Sequence, residues 1–80
     1  MEEVKIGRVY RHFKGNYYLV EDIAINSEDG ILYVVYRALY EDTKLYIRPL
    51  DMFLSKVDKS KYPNCNQTYR FEFQNIASIK

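Results

Sequence analysis

Three tyrosine–arginine dipeptides punctuate this chain, Tyr10-Arg11, Tyr36-Arg37 and Tyr69-Arg70, and Tyr46-Ile47-Arg48 repeats the pairing one residue wider. A guanidinium presents a planar fork of donors to a carboxylate or phosphate, and a ring presents a π face on which a base can stack. Together they are the chemistry of binding an anionic, planar ligand. The same residues also have a structural use. An arginine lying on a tyrosine of a neighbouring strand contributes about 0.5–1 kcal/mol with no ligand at all. Adjacent strand residues point to opposite faces, so the two members of one dipeptide do not stack on each other. For the same reason these residues cannot all share one face, and some must be structural.

His12 follows the first dipeptide, with Lys14 two residues on, at the end of a strand-like run. It is the single histidine, and with one distant cysteine it makes a poor metal site. It reads either as a strand-end residue hydrogen-bonded to the turn or as part of a basic cluster with Arg11 and Lys14. Cys65 lies in the loop-like stretch YPNCNQ and has no nucleophilic partner assigned by the sequence. No glycine-rich phosphate loop, paired CxxC or HExxH occurs. No catalytic apparatus, metal or cofactor is therefore expected.

Arg37 sits in VVYRALY, a run that is apolar on both faces. An arginine there must be paired or must reach water along its stem. Glu21 is the odd carboxylate on the otherwise apolar Tyr17, Leu19, Ile23, Ile25 face of the preceding run. A Glu21–Arg37 cross-strand pair is one reading, and replacing Arg37 with Met would then strand a buried carboxylate at a cost of several kcal/mol. The other reading makes Arg37 the base of a ligand site.

The elements that position these residues are short. Apolar runs Ile6 to Phe13, Tyr17 to Asn26, Ile31 to Tyr40 and Leu45 to Pro49 are separated by the turn sequences KGN, SEDG and EDTK. LDMFLSKV, residues 50 to 57, is ambiguous: Asp51 is placed to N-cap a helical turn, or Phe53 to Val57 is a strand. Asp58 to Thr68 is a loop by composition. YRFEFQNI alternates, with Tyr69, Phe71 and Phe73 on one face. This pattern predicts an all-β, single domain over residues 1–80, a small antiparallel SH3-like barrel of about five strands with a short helical turn near residues 50–54. Closure would remove the exposed edges that β-rich chains must manage.

Eighty residues cannot house a large cavity beside a packed core, so a groove or open face is the expected form of any site. Nine tyrosines and no tryptophan give large half-buried rings. Twelve Lys and Arg against eleven Asp and Glu leave a formal charge of +1, which is not the balance of a protein living on duplex phosphate. One cysteine and the absence of a basic, apolar leader in MEEVKIG predict a cytoplasmic setting.

The ordered motifs GRVYRHFKGNYYLVEDIA, SE, VVYRALYED, LYIRPLDMF and YRF resemble the domain-of-unknown-function family 1653, whose members are short bacterial and phage proteins. The resemblance spans roughly Gly7 to Ile76. It implies emphasis rather than activity, falling on Tyr10, Arg11, His12, Lys14, Gly15, Tyr18, Ser27, Glu28, Tyr36, Arg37, Leu39, Tyr40, Arg48, Pro49, Met52, Phe53, Arg70 and Phe71. Four departures accompany it. Asn26 stands where the family usually has a histidine, and Tyr46 where it tends to a tryptophan. The Asp58–Thr68 loop looks longer than usual, and Tyr69 replaces a frequent proline.

The expectation is thus a non-enzymatic binding module whose ligand, a nucleotide or single-stranded nucleic acid, meets Tyr10, Arg11, His12, Lys14, Tyr36, Arg37, Tyr40, Arg48 and Arg70, with Tyr46 as a further ring. The competing expectation is a protein-interaction module, homodimeric through the third strand, with tyrosines as interface anchors.

Overall fold

A computed structural model describes residues 4–77 of the chain. Five strands and one helical turn succeed one another: β1 (Arg8–His12), β2 (Tyr17–Ile25), β3 (Leu32–Ala38), β4 (Leu45–Pro49), α1 (Leu50–Phe53) and β5 (Phe71–Ala77). All neighbours are antiparallel, in the order β4-β3-β2-β1-β5. The expected five-stranded all-β architecture is present, and the turns form for the reasons their residues give. Gly15 takes φ 111° in the β1–β2 turn, closed by His12 N–H on the Asn16 carbonyl at 2.8 Å. Asn26 Oδ1 accepts the Glu28 N–H at 2.9 Å and builds the β2–β3 turn.

The sheet is barrel-like but not closed, and β4 and β5 are its two edges. In a flat sheet β3 and β5 would lie about 14 Å apart across three strand spacings. Instead the rings of Tyr36 on β3 and Phe71 on β5 are 5.3 Å apart, and the guanidinium carbon of Arg48 on β4 is 5.5 Å from the Phe71 centroid. The sheet has curled until its edges face each other. Phe53 fills the gap: it is 1% exposed, stacks on Phe71 at 4.1 Å and 7°, and meets Tyr10 and Tyr36 edge-on. Beyond it, Lys56 bridges to Tyr69 in a single antiparallel step. The stretch from Phe53 to Val57 is therefore not a strand.

Asp51 does not cap α1. Pro49 holds the cap position with no side-chain hydrogen bond, and Asp51 lies inside the first turn. Proline has already ended the ladder there and its fixed φ, here −53°, leads into the helix.

Glu21 departs from simple alternation because it is the extra residue of a β-bulge. Val20 opposes Tyr36 and Asp22 opposes Val35, so the register steps over Glu21. The bulge flips the faces, which turns Tyr18 and Val20 toward the core before it and Ile23 after it. The expected single face of Tyr17, Leu19, Ile23 and Ile25 is split in consequence. The released Glu21 carboxylate accepts from Arg37 Nε at 2.9 Å, while Arg37 Nη1 donates to the Thr43 carbonyl at 2.9 Å. The pair ties the bulge to a turn in which Glu41 and Thr43 both hold positive φ. Its side chains are 40% and 22% exposed, so it is a half-buried pair rather than a buried one. The third strand lies between β2 and β4 and has no open edge for a homodimer.

Two substitutions separate these contributions in chemical denaturation. Phe53→Ala removes the plug of the curl and is expected to cost about 3–5 kcal/mol. Arg37→Met is expected to cost about 1 kcal/mol, because half-exposed ion pairs are screened by water. A loss of several kcal/mol at Arg37 would mean that the pair is effectively desolvated.

Candidate functional site

The curl leaves a cleft of about 480 Å³ between the β1–β2 turn, the core-facing side of β3 and β4, and the loop after α1. Its floor is aromatic, with Tyr18, Tyr36 and Phe71, and its rim is cationic, with Lys14, Arg48, Lys61 and Arg70. Arg48 reaches it because β4 register places Arg48 opposite Val34, on the core-facing side. At the edge of the core its guanidinium lies over the Phe71 ring. Arg48 Nε donates to Tyr36 Oη at 3.1 Å. Arg70 is fixed from the other side, with Nε donating to Ser55 Oγ at 3.0 Å and its backbone N–H to the Ser55 carbonyl at 2.8 Å. Among the described residues the ion pairs are Arg37–Glu21 and Lys44–Asp42, so neither cleft guanidinium meets a carboxylate. Each retains donors for something else.

His12 closes the cleft at the end of β1. Its Nδ1 accepts the Lys14 backbone N–H at 3.2 Å, which is the turn bond the sequence suggested. The neutral ring therefore carries its proton on Nε2. Burial among Phe13, Tyr18 and Phe71, and then the charges of Arg48, Arg70 and Lys14, lower its pKa from 6.5 to about 4. At neutral pH it is thus an uncharged donor beside three cations. Tyr18 hydrogen-bonds Tyr40 hydroxyl to hydroxyl at 2.8 Å. Burial first, and that bond second, push the Tyr18 phenol well above its ordinary value. Tyr46 is raised as well, chiefly by desolvation. These rings act as neutral surfaces.

Among the described residues Asp58 is the one carboxylate on the lining. Its Oδ1 accepts from Ser60 Oγ at 2.6 Å and from the Ser60 N–H at 3.1 Å, which hold its pKa below the usual range. Among the described residues no group of three His, Cys, Asp or Glu is placed to hold a metal ion.

Of the nine residues singled out in the sequence, His12, Lys14, Tyr36, Arg48 and Arg70 line this cleft together. Tyr40 stands behind it, bonded to Tyr18. Tyr10 is 4% exposed, and its hydroxyl accepts the Lys5 N–H at 3.0 Å, so it belongs to the core. Arg37 is on the opposite face with Glu21. Arg11, one residue before His12, also points away, donating from Nη1 to Gln67 Oε1 at 2.9 Å.

Sequence reasoning did not select Phe13, Lys61 and Tyr62. Their rings and charge form the outer wall, with Phe13 and Tyr62 edge-on at 4.9 Å. Loop composition concealed Lys61 and Tyr62, since nothing in a polar stretch says which side chains fold back. The fold-back is enforced by Gln67, which is 5% exposed. Its Nε2 donates to the carbonyls of Arg11 and Tyr69 at 2.9 Å each, and its Oε1 accepts from Arg11. The loop is thereby anchored to β1.

The model of the family described as Protein of unknown function (DUF1653) matches residues 8–73, which is most of the chain. A crystal structure of a protein of that family from Bordetella bronchiseptica is similar throughout. The TM-score is 0.77, the identity is 28%, and the match covers 100% of this chain and 99% of that one. No curated protein matches.

Two measurements test this geometry. Because the folded His12 binds a proton only near pH 4 while the unfolded histidine binds one near 6.5, the unfolded state holds more protons between those values. Stability should therefore fall as pH drops from 6.5 toward 4. His12→Asn keeps an acceptor for Lys14 N–H without a titrating group, and should flatten that part of the urea-midpoint profile. An unchanged slope would show that His12 is not held neutral. Gln67→Ala strands buried carbonyls and is expected to cost about 2 kcal/mol, with faster amide exchange across residues 58–68.

Proposed function

The chain belongs to the DUF1653 family, and on that premise we propose that it is a small binding module whose cleft takes an anionic, planar ligand of nucleotide type. One observation carries the reading: Arg48 and Arg70, unpaired by carboxylate among the described residues, stand over a floor of Tyr18, Tyr36 and Phe71. A phosphate would receive charge-assisted hydrogen bonds from the guanidinium groups and from Lys14. A base or sugar would lie on the rings, and neutral His12 would donate through Nε2. A volume near 480 Å³ suits a ligand of that size. The +1 formal charge of the chain does not oppose it, because local field rather than net charge governs a cleft.

A protein-interaction role is the second reading, and it rests on the other side of the sheet. Leu45 and Ile47 stand beside Arg37 and Val35 there, and Ile47 is 65% exposed at the open β4 edge. Concentration-dependent sedimentation would favour it.

The test is an amide-resolved NMR titration of the labelled protein with nucleoside monophosphates at low salt. Shifts should centre on His12, Lys14, Arg48, Arg70 and Phe71, and Arg48→Ala or Arg70→Ala should each weaken binding roughly tenfold or more. No shifts at those amides, or shifts confined to Leu45 and Ile47, would overturn the proposal.

A further inference from the structure

A second cleft of about 550 Å³ adjoins the first and shares Phe13, Lys14, Lys61 and Tyr62 with it. It extends along the Asp58–Thr68 loop and adds Arg11, Asn64, Asn66 and Gln67. The two are thus one groove with a ridge. On the ridge, Lys14 Nζ lies 5.9 and 5.8 Å from the Phe13 and Tyr62 centroids, and Lys61 Nζ lies 5.8 Å from Tyr62. Each ring at the ridge has an ammonium beside it.

The charge distribution follows the groove. Among the described residues, five Lys and Arg line it with Asp58 as its single carboxylate, which leaves six cations against eight acids elsewhere. The remaining described residues are net negative, so the near-neutral total conceals a cationic track. A mononucleotide would occupy the first cleft and leave the charge of Arg11 and the amides of Asn64 and Asn66 without a use. The second wall is also built rather than loose. Gln67 ties it to β1, and Lys59 Nζ donates to the Gln67 carbonyl at 2.8 Å.

We propose that the groove binds single-stranded nucleic acid of a few nucleotides, running from Arg48 and Arg70 over the Phe13–Tyr62 ridge to Arg11. This deepens the nucleotide reading of the first cleft and rests on it. Phosphates would follow Arg48, Lys14, Lys61 and Arg11, bases would stack at the ridge rings, and Asn64 and Asn66 would meet base edges. Such stacking tolerates any base, and the binding would be steeply salt-dependent.

Calorimetric titration of the full chain with thymidine monophosphate and with oligothymidylates of two, four and six nucleotides tests it. The tetramer should bind at least tenfold more tightly than the monophosphate, with no further gain at six. Log affinity for the tetramer should fall with log salt at a slope of about −2, as for three phosphates neutralised. Asn64→Asp, at an exposed position lining only the second cleft, should weaken the tetramer several-fold and leave the monophosphate unchanged. Asn66→Asp, at an exposed position, places an opposing charge in the second cleft without burdening the fold and should do the same. Equal affinity for monophosphate and tetramer, or no response to either variant, would overturn the strand and leave the first-cleft reading standing. Tetrapolyphosphate binding as tightly as the tetramer would overturn it as well, since the rings would then be unused. Binding of neither thymidylate probe would remove both readings.

Discussion

The stack of Phe53 on Phe71 is the contact on which the rest of the molecule depends. Five short strands with a core on one side cannot bury that side while flat. The curl solves the problem only if something fills the space between the converging edges. A phenylalanine on a single helical turn, delivered by the proline that ends β4, is sufficient. The same curl brings β4 and the start of β5 within reach of each other, and with them Arg48 and Arg70. Core formation and assembly of the cleft are therefore one event, and a change that loosens the plug also disperses the charges.

Charge is handled differently on the two faces of the sheet. Outside, Arg37 is matched to a carboxylate that a β-bulge releases from the ladder, and the pair braces a turn of unfavourable φ. Inside, Arg48 and Arg70 are held by a phenol and a hydroxyl, partners that fix position without neutralising charge. Neutral anchors leave a positive field in place, and His12 avoids adding to the repulsion by remaining unprotonated. One side is thus braced by a matched pair, and the other keeps its positive charge.

Much of this was legible in the residues. Turn chemistry at Gly15 and in SEDG, alternation at Phe71 and Phe73 of β5, and the proline at position 49 report local preferences that tertiary context did not override. Glu21 and Arg37 could be matched because an ion on an apolar face needs a partner. What misled was strict alternation through β2: one inserted residue reverses every face after it, and no local propensity announces a bulge. Asp51 showed a cap preference that Pro49 pre-empted by its position.

Among the candidate site residues, the sequence by itself determined the kinds of groups available: guanidinium, imidazole and rings in a β-rich chain. It also determined which of them alternate onto one side of their own strands. Only the tertiary structure decided that His12, Lys14, Tyr36, Arg48 and Arg70 meet, that Tyr10 is core, and that Arg11 opens onto a different cleft from His12. The physical reason is range. Side-chain direction repeats every two residues and is fixed locally, whereas the meeting of β4 with β5 depends on curl accumulated over five strands and on one ring from a distant turn.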